Sequence, residues 1–106
     1  TDQQKIELEY LFTNNKSYAL KVKGDSMINA GIYDGDWVII EENTKFNKSK
    51  VHVILIDNQD VTLKYIEKVN SKDVKLIPAN NKYKEIIYPI ERISIQGYVV
   101  GQVRIY

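Results

Sequence analysis

The sequence predicts a mainly β fold: a strongly curved antiparallel β domain. Three features point there. "SYALKVKG", from Ser17, alternates strictly, with Tyr18, Leu20 and Val22 on one side and Ala19, Lys21 and Lys23 on the other. That period of two marks a half-buried strand. Short runs rich in Ile and Val recur between turn signals, the spacing of antiparallel β architectures. The final run contains Gly97 and Gly101, and glycine inside a strand signals a bulge or a sharp bend.

The elements follow in order. Residues 1–9 are polar and read as an arm or a short helix. The strand from Ser17 stops at Gly24. "GDSMINAGIYDGD" leaves room for one or two helical turns after Ser26, and Asp34-Gly35 is a turn signal. "DWVIIEE" is a second strand, and "NTKFNKSK" a solvated, lysine-rich loop. "VHVILID" is almost wholly apolar, as a strand covered on both faces would be. Asp57-Asn58-Gln59-Asp60 forms a hairpin turn into the returning strand "VTLKYIEKV". "SKDVKLIPAN" holds a short strand halted by Pro78, and the last 23 residues contain at least one long strand. Residues 1–16 are assigned to an arm or linker remnant, and 17–106 to one domain.

Composition removes several classes of function. A chain of 106 residues builds a single core. Fifteen basic residues face fourteen acidic ones, a net charge of +1 that gives no purchase on nucleic acid or an anionic membrane. No apolar run approaches the ~20 residues that span a bilayer, and no signal peptide is visible. With no cysteine, disulfides, thiolate catalysis and cysteine zinc sites are excluded. A cytoplasmic location is expected, with no metal and no cofactor.

Ser26 is a candidate nucleophile, and it needs a base. The only histidine, His52, lies in the apolar run "VHVILID". It could serve a Ser-His-Asp triad, but a strand residue facing solvent, or a satisfied core position, is the simpler expectation. Asp34 and Asp36 read as solvated turn acids. Lysine is the other possible base. An ordinary lysine titrates near ~10.4, so work at neutrality requires a fall of ~3, or ~4 kcal/mol against the charged form. Apolar burial supplies such a shift. Lys64 shares a strand face with Thr62 and Ile66 and is flanked by Leu63 and Tyr65. Those neighbours make it a candidate among thirteen lysines without singling it out.

Four ordered segments resemble one family. "VKGDSMINAGIYDGDWVII" resembles the serine region of the LexA-like repressors, the peptidase family that includes phage cI-type repressors and UmuD proteins. "VTLKYI" resembles its lysine strand, and Lys64 follows Ser26 by 38 residues, about the family separation. "LIPANNKY" is similar to its Leu-x-Pro-x-Asn segment, and "IQGYVVGQVR" to its terminal strand. The likeness runs from Ser17 to the end. Tyr65 stands where an arginine is common, and Ser49 where a glycine is usual.

The resemblance implies a LexA/signal-peptidase-like fold and a self-cleaving, dimerising C-terminal domain of a repressor inactivated in the SOS response. Ser26 would be the nucleophile and Lys64 the general base. The backbone N–H groups of Asp25 and Ser26 would form the oxyanion hole. Met27 would pack beneath the site. The implied partners are a second copy of the chain and the RecA–single-stranded DNA filament as trigger. DNA would be bound only by an N-terminal domain absent from this chain. Relatives cut at a small pair such as Ala-Gly upstream of the serine. Here Ala30-Gly31 follows Ser26 and reads as scaffold, so the chain is expected to be a cleavage product or a trimmed piece. The apolar final strand is expected at an exposed edge, pairing two copies. A UmuD-like accessory subunit of a translesion polymerase, or a phage repressor domain used mainly for dimerisation, stands as the alternative. Signal peptidases share the Ser-Lys chemistry but bring a membrane segment not seen here.

Overall fold

The computed structural model describes residues 16–106. The arm expected over 1–16 therefore lies outside the described residues, Lys16 excepted. Seven strands follow the order of the apolar runs: β1 Ser17–Lys21, β2 Trp37–Glu42, β3 His52–Ile56, β4 Asp60–Lys68, β5 Asp73–Ile77, β6 Ile86–Pro89 and β7 Ile93–Val103. All pair antiparallel, in the lateral order β1-β2-β7-β3-β4-β5-β6. The helical turn after Ser26 is a single 3₁₀ turn, Ile28–Ala30. A second 3₁₀ turn, Ile90–Arg92, leads into β7. No helix of the described residues is long and apolar enough to cross a membrane.

Alternation along the strands divides the interior in two. Met27, Ile32, Val38, Ile40, Val51 and Val53 form one core, joined by Leu63 and Tyr65 of β4. Ile54, Ile66, Val74, Leu76 and Ile95 form the other. Val53 and Ile54 are adjacent yet belong to different cores, so β3 is covered on both faces and its run is apolar throughout. Ile40, Ile54 and Ile66 are fully buried, and each such side chain is worth about 1.5–3 kcal/mol.

β4 carries the curvature. Its first half pairs with β3 and its second half, from Tyr65, with β5. The β3–β4 hairpin turns on Asp57 and Asn58, with φ of 53° and 55°, the left-handed pair that matches strand twist. Both expected bulges are present in β7. Its register against β3 slips between Val53 and Ile54, beside Gly97, and against β2 between Ile39 and Ile40, beside Gly101.

One expectation is corrected. The final strand is not an exposed edge: β7 runs between β2 and β3. Ile95 and Tyr98 are buried, and each flanking strand takes half of the backbone hydrogen bonds, so a second chain cannot replace either. Only beyond Val99, whose N–H donates to the Val51 carbonyl at 2.9 Å, does β7 keep β2 as its single described neighbour.

Gly97 shows why this crossing needs glycine. A Cβ there would sit 2.4 Å from the Glu41 carbonyl oxygen and 2.7 Å from Ile40 Cγ2. The obstructing oxygen is backbone of a paired strand and cannot swing aside. Gly97→Ala is expected to lower stability by about 1–3 kcal/mol, the usual cost of overpacking, read as a lower urea midpoint at unchanged slope.

Candidate active site

The loop from β1 to β2 presents Ser26. Gly24 turns the chain with φ 92°, a conformation that favours glycine, and its N–H donates to Asp34 Oδ1 at 2.8 Å. Met27, 2 % exposed, drops into the first core as expected. Ala30-Gly31 is scaffold: the Ala30 N–H donates to the Met27 carbonyl at 3.0 Å and the Gly31 N–H to the Ile28 carbonyl at 2.9 Å.

The turn after β5 grips this loop. The Ala79 N–H donates to the Ser26 carbonyl at 2.8 Å, and the Asn29 N–H to the Ala79 carbonyl at 2.7 Å. Asn80 is buried; its Nδ2 donates to the Asp25 carbonyl at 2.8 Å and its Oδ1 accepts from the Lys82 N–H at 3.0 Å. Tyr83 Oη donates to Asp25 Oδ1. That bond, with the Lys82 ammonium 3.6 Å away, keeps the Asp25 carboxyl below the usual range. No described residue accepts from the N–H of Asp25 or of Ser26.

Lys64 comes from the middle of β4. Its Nζ lies 3.1 Å from Ser26 Oγ, across 38 residues of sequence, and 2.6 Å from Thr62 Oγ1. Thr62 and Lys64 meet because residues two apart share a strand face. Burial pushes the Lys64 ammonium below its ordinary pKa. None of the described carboxylates forms an ion pair with it to restore the charge.

His52 is elsewhere engaged. It is fully buried, and burial lowers its pKa. Nδ1 lies 2.8 Å from the Lys50 carbonyl, and the Asn47 N–H donates to Nε2 at 3.2 Å. A carbonyl only accepts and an amide N–H only donates, so the ring is neutral with its proton on Nδ1. Both nitrogens are occupied, and no triad forms through it. Beside Ser26 lies a cleft of about 350 Å³ whose walls include Leu20, Val22, Met27, Val61 and Leu63.

Comparison with known proteins shows the family of the chain. The model of the family described as Peptidase S24-like matches residues 1–100. This chain belongs to the Peptidase S24-like family. A LexA repressor from Zymomonas mobilis is 46 % identical over 89 residues, 84 % of this chain and 41 % of the relative. A LexA repressor from Granulibacter bethesdensis is 44 % identical over 93 residues, 88 % and 38 % of the two chains. One from Gluconacetobacter diazotrophicus is 46 % identical over 96 residues, 91 % and 38 %. The chain thus spans about two-fifths of the length of these relatives.

Elsewhere in this S24-like domain one sequence expectation fails. Asp36 is no solvated turn acid; it is buried. Arg104 Nε and Nη2 donate to its two oxygens at 2.8 and 2.9 Å, and the Tyr33 N–H donates to Oδ2 at 2.9 Å. Arg104 Nη2 also reaches the Gly31 carbonyl at 3.3 Å. The pair thereby ties the end of β7 to the loop that carries Ser26. Alternation along the chain does not reveal it, because the partners are 68 residues apart. Thr62 and Asn80 likewise take no role from the sequence: Thr62 has only its shared face with Lys64, and Asn80 only its place in "LIPANNKY".

Asp36 sets an acid limit on stability. Its carboxyl is held down to about 2, chiefly by the hydrogen bonds from Arg104, against ~3.9 in an unfolded chain. A depressed folded pKa stabilises fully above the unfolded value and loses that contribution as pH falls toward the folded one. Thermal unfolding followed from about pH 5 down to 2 should therefore show wild-type stability declining across this window. Asp36→Asn should begin less stable at the upper end and decline less steeply.

Proposed function

We propose that this chain is the self-cleaving and dimerising domain of a LexA-like transcriptional repressor, acting in the cytoplasm, with Ser26 as nucleophile and Lys64 as general base. The observation that carries the proposal is the contact between the Lys64 amine and the Ser26 hydroxyl, 3.1 Å apart in a desolvated position with none of the described carboxylates paired to the amine. A neutral amine has two N–H bonds and one lone pair. With Thr62 Oγ1 accepting one N–H at 2.6 Å, the lone pair is free to face Ser26.

The chemistry follows from those positions. Ser26 Oγ attacks the carbonyl carbon of the scissile peptide as its proton passes to Lys64 Nζ. The developing oxyanion takes the N–H groups of Asp25 and Ser26, which have no described acceptor. Collapse of the tetrahedral adduct breaks the C–N bond, and the Lys64 ammonium gives its proton to the leaving amine. Water then hydrolyses the acyl-serine, again with Lys64 taking the proton. The apolar cleft beside Ser26 suits a substrate segment with small or aliphatic side chains.

That these relatives are LexA repressors favours a repressor parent over a polymerase subunit. DNA binding then belongs to an N-terminal domain beyond this chain, with the RecA–single-stranded DNA filament as the trigger after DNA damage. The domain itself, residues 17–106, forms a homodimer. Its contact falls on the end of β7 past Val99 and on the residues that follow the strand, where Ile105 and Tyr106 are exposed.

The test uses the longer gene product that retains the upstream segment. Ser26→Ala and Lys64→Ala should each abolish self-cleavage on a denaturing gel. Wild-type cleavage should accelerate with pH as the amine loses its proton, and level off below the pH at which ordinary lysines titrate. Cleavage at the wild-type rate in either variant would refute the dyad.

A further inference from the structure

We infer that Asn80 is a positioning residue for the oxyanion hole: its amide fixes the orientation of the Asp25–Ser26 peptide. The inference rests on the Ser26–Lys64 chemistry proposed above and adds the residue that prepares it.

A trans peptide points its C=O and N–H in opposite directions. The Asp25 carbonyl and the Ser26 N–H belong to one such unit, which is trans. Whatever holds that carbonyl therefore aims that N–H. Asn80 Nδ2 holds it at 2.8 Å. The other backbone contact to this oxygen, from the Ile28 N–H, is long at 3.4 Å. Asn80 is thus the principal anchor.

The anchor is itself rigid. Asn80 is 6 % exposed, and its Oδ1 accepts from the Lys82 N–H at 3.0 Å. That bond fixes which end of the amide is the donor, since only the oxygen can accept. The preceding residue, Ala79, clasps the other side of the serine through the Ser26 carbonyl at 2.8 Å. A buried amide with both ends used cannot rotate without leaving polar groups unpaired. The Ser26 N–H is left without a described acceptor, as a donor reserved for a developing charge would be.

The role separates from simple loop stability by choice of probe. A fluorophosphonate reacts with an activated serine by forming an Oγ–P bond and expelling fluoride, while Lys64 takes the hydroxyl proton. Negative charge grows on the phosphoryl oxygen, so the reaction draws on the oxyanion hole. Iodoacetamide alkylates a thiol by displacement at carbon and places no charge there. The 106-residue chain would be labelled with the fluorophosphonate as wild type, Asn80→Asp and Asn80→Leu. The same two substitutions on a Ser26→Cys background would be alkylated with iodoacetamide above the thiol pKa. Asn80→Asp keeps the shape and the acceptor for Lys82 but removes the donor; Asn80→Leu removes both without adding charge.

Losing a preorganised donor costs about 100-fold or more in related chemistry, so misaiming one should slow fluorophosphonate labelling by at least ~10-fold. Thiol alkylation of the two variants on the Ser26→Cys background should stay within about twofold of Ser26→Cys alone. Unchanged fluorophosphonate labelling would overturn the inference. So would a parallel loss with both probes, which would mean that Asn80 merely holds the loop together. Wild-type labelling that vanishes in Ser26→Ala and Lys64→Ala tests the dyad separately; if it persists in them, the dyad fails, not the assignment of Asn80 alone.

Discussion

A lysine amine held against a serine hydroxyl, with none of the described carboxylates paired to it, is the interaction on which the rest of the structure depends. An exposed lysine would be an ammonium, and an ammonium cannot accept a proton. Lys64 lies on a strand bordered by both cores, and burial lowers its pKa. The nearest groups are neutral hydroxyls, those of Ser26 and Thr62. Any carboxylate at ion-pair distance would stabilise the charged form and oppose the burial. The ion-paired acids of the described residues lie elsewhere: Asp36 on Arg104, Asp57 on Arg92, Asp25 beside Lys82.

That requirement accounts for the shape of the sheet. Ser26 is on the loop after an edge strand, and Lys64 is in the middle of β4. To bring them within 3.1 Å the sheet must curl. The two bulges in β7 and the division of β4 between β3 and β5 supply the curvature. Gly97 belongs to the same design, because only a residue without Cβ lets β7 lie against Glu41. The serine loop is then pinned at three points: Met27 in the core, the Ala79–Asn80 turn, and the Asp36–Arg104 pair with its reach to Gly31.

Much of this is legible in the sequence. Strict alternation marks β1, the continuous apolar run marks β3 as doubly covered, and glycines mark the bulges. Local patterns carry those facts because side-chain period and backbone freedom are local properties. The pairing of Ser26 with Lys64 is not legible from periodicity, which leaves thirteen lysines nearly equivalent; it comes from the family likeness of ordered motifs. The position of β7 is not legible either, since an apolar terminal strand reads the same at an edge or in the middle of a sheet. Asp36 misleads for a different reason. A turn acid reads as solvated unless its partner is known, and Arg104 meets it only after the whole sheet has closed. Asn80 escapes notice because its task is to hold a backbone carbonyl, and such a task leaves no mark on residue spacing.

The most direct test of the central claim is the titration of Lys64 itself. Lysine side chains labelled at Cε can be followed by NMR as pH is raised, with Lys64→Arg identifying the resonance. Lys64 should titrate below the other lysines and below the ordinary ~10.4. A Lys64 that titrates together with the surface lysines, or above them, would contradict the account.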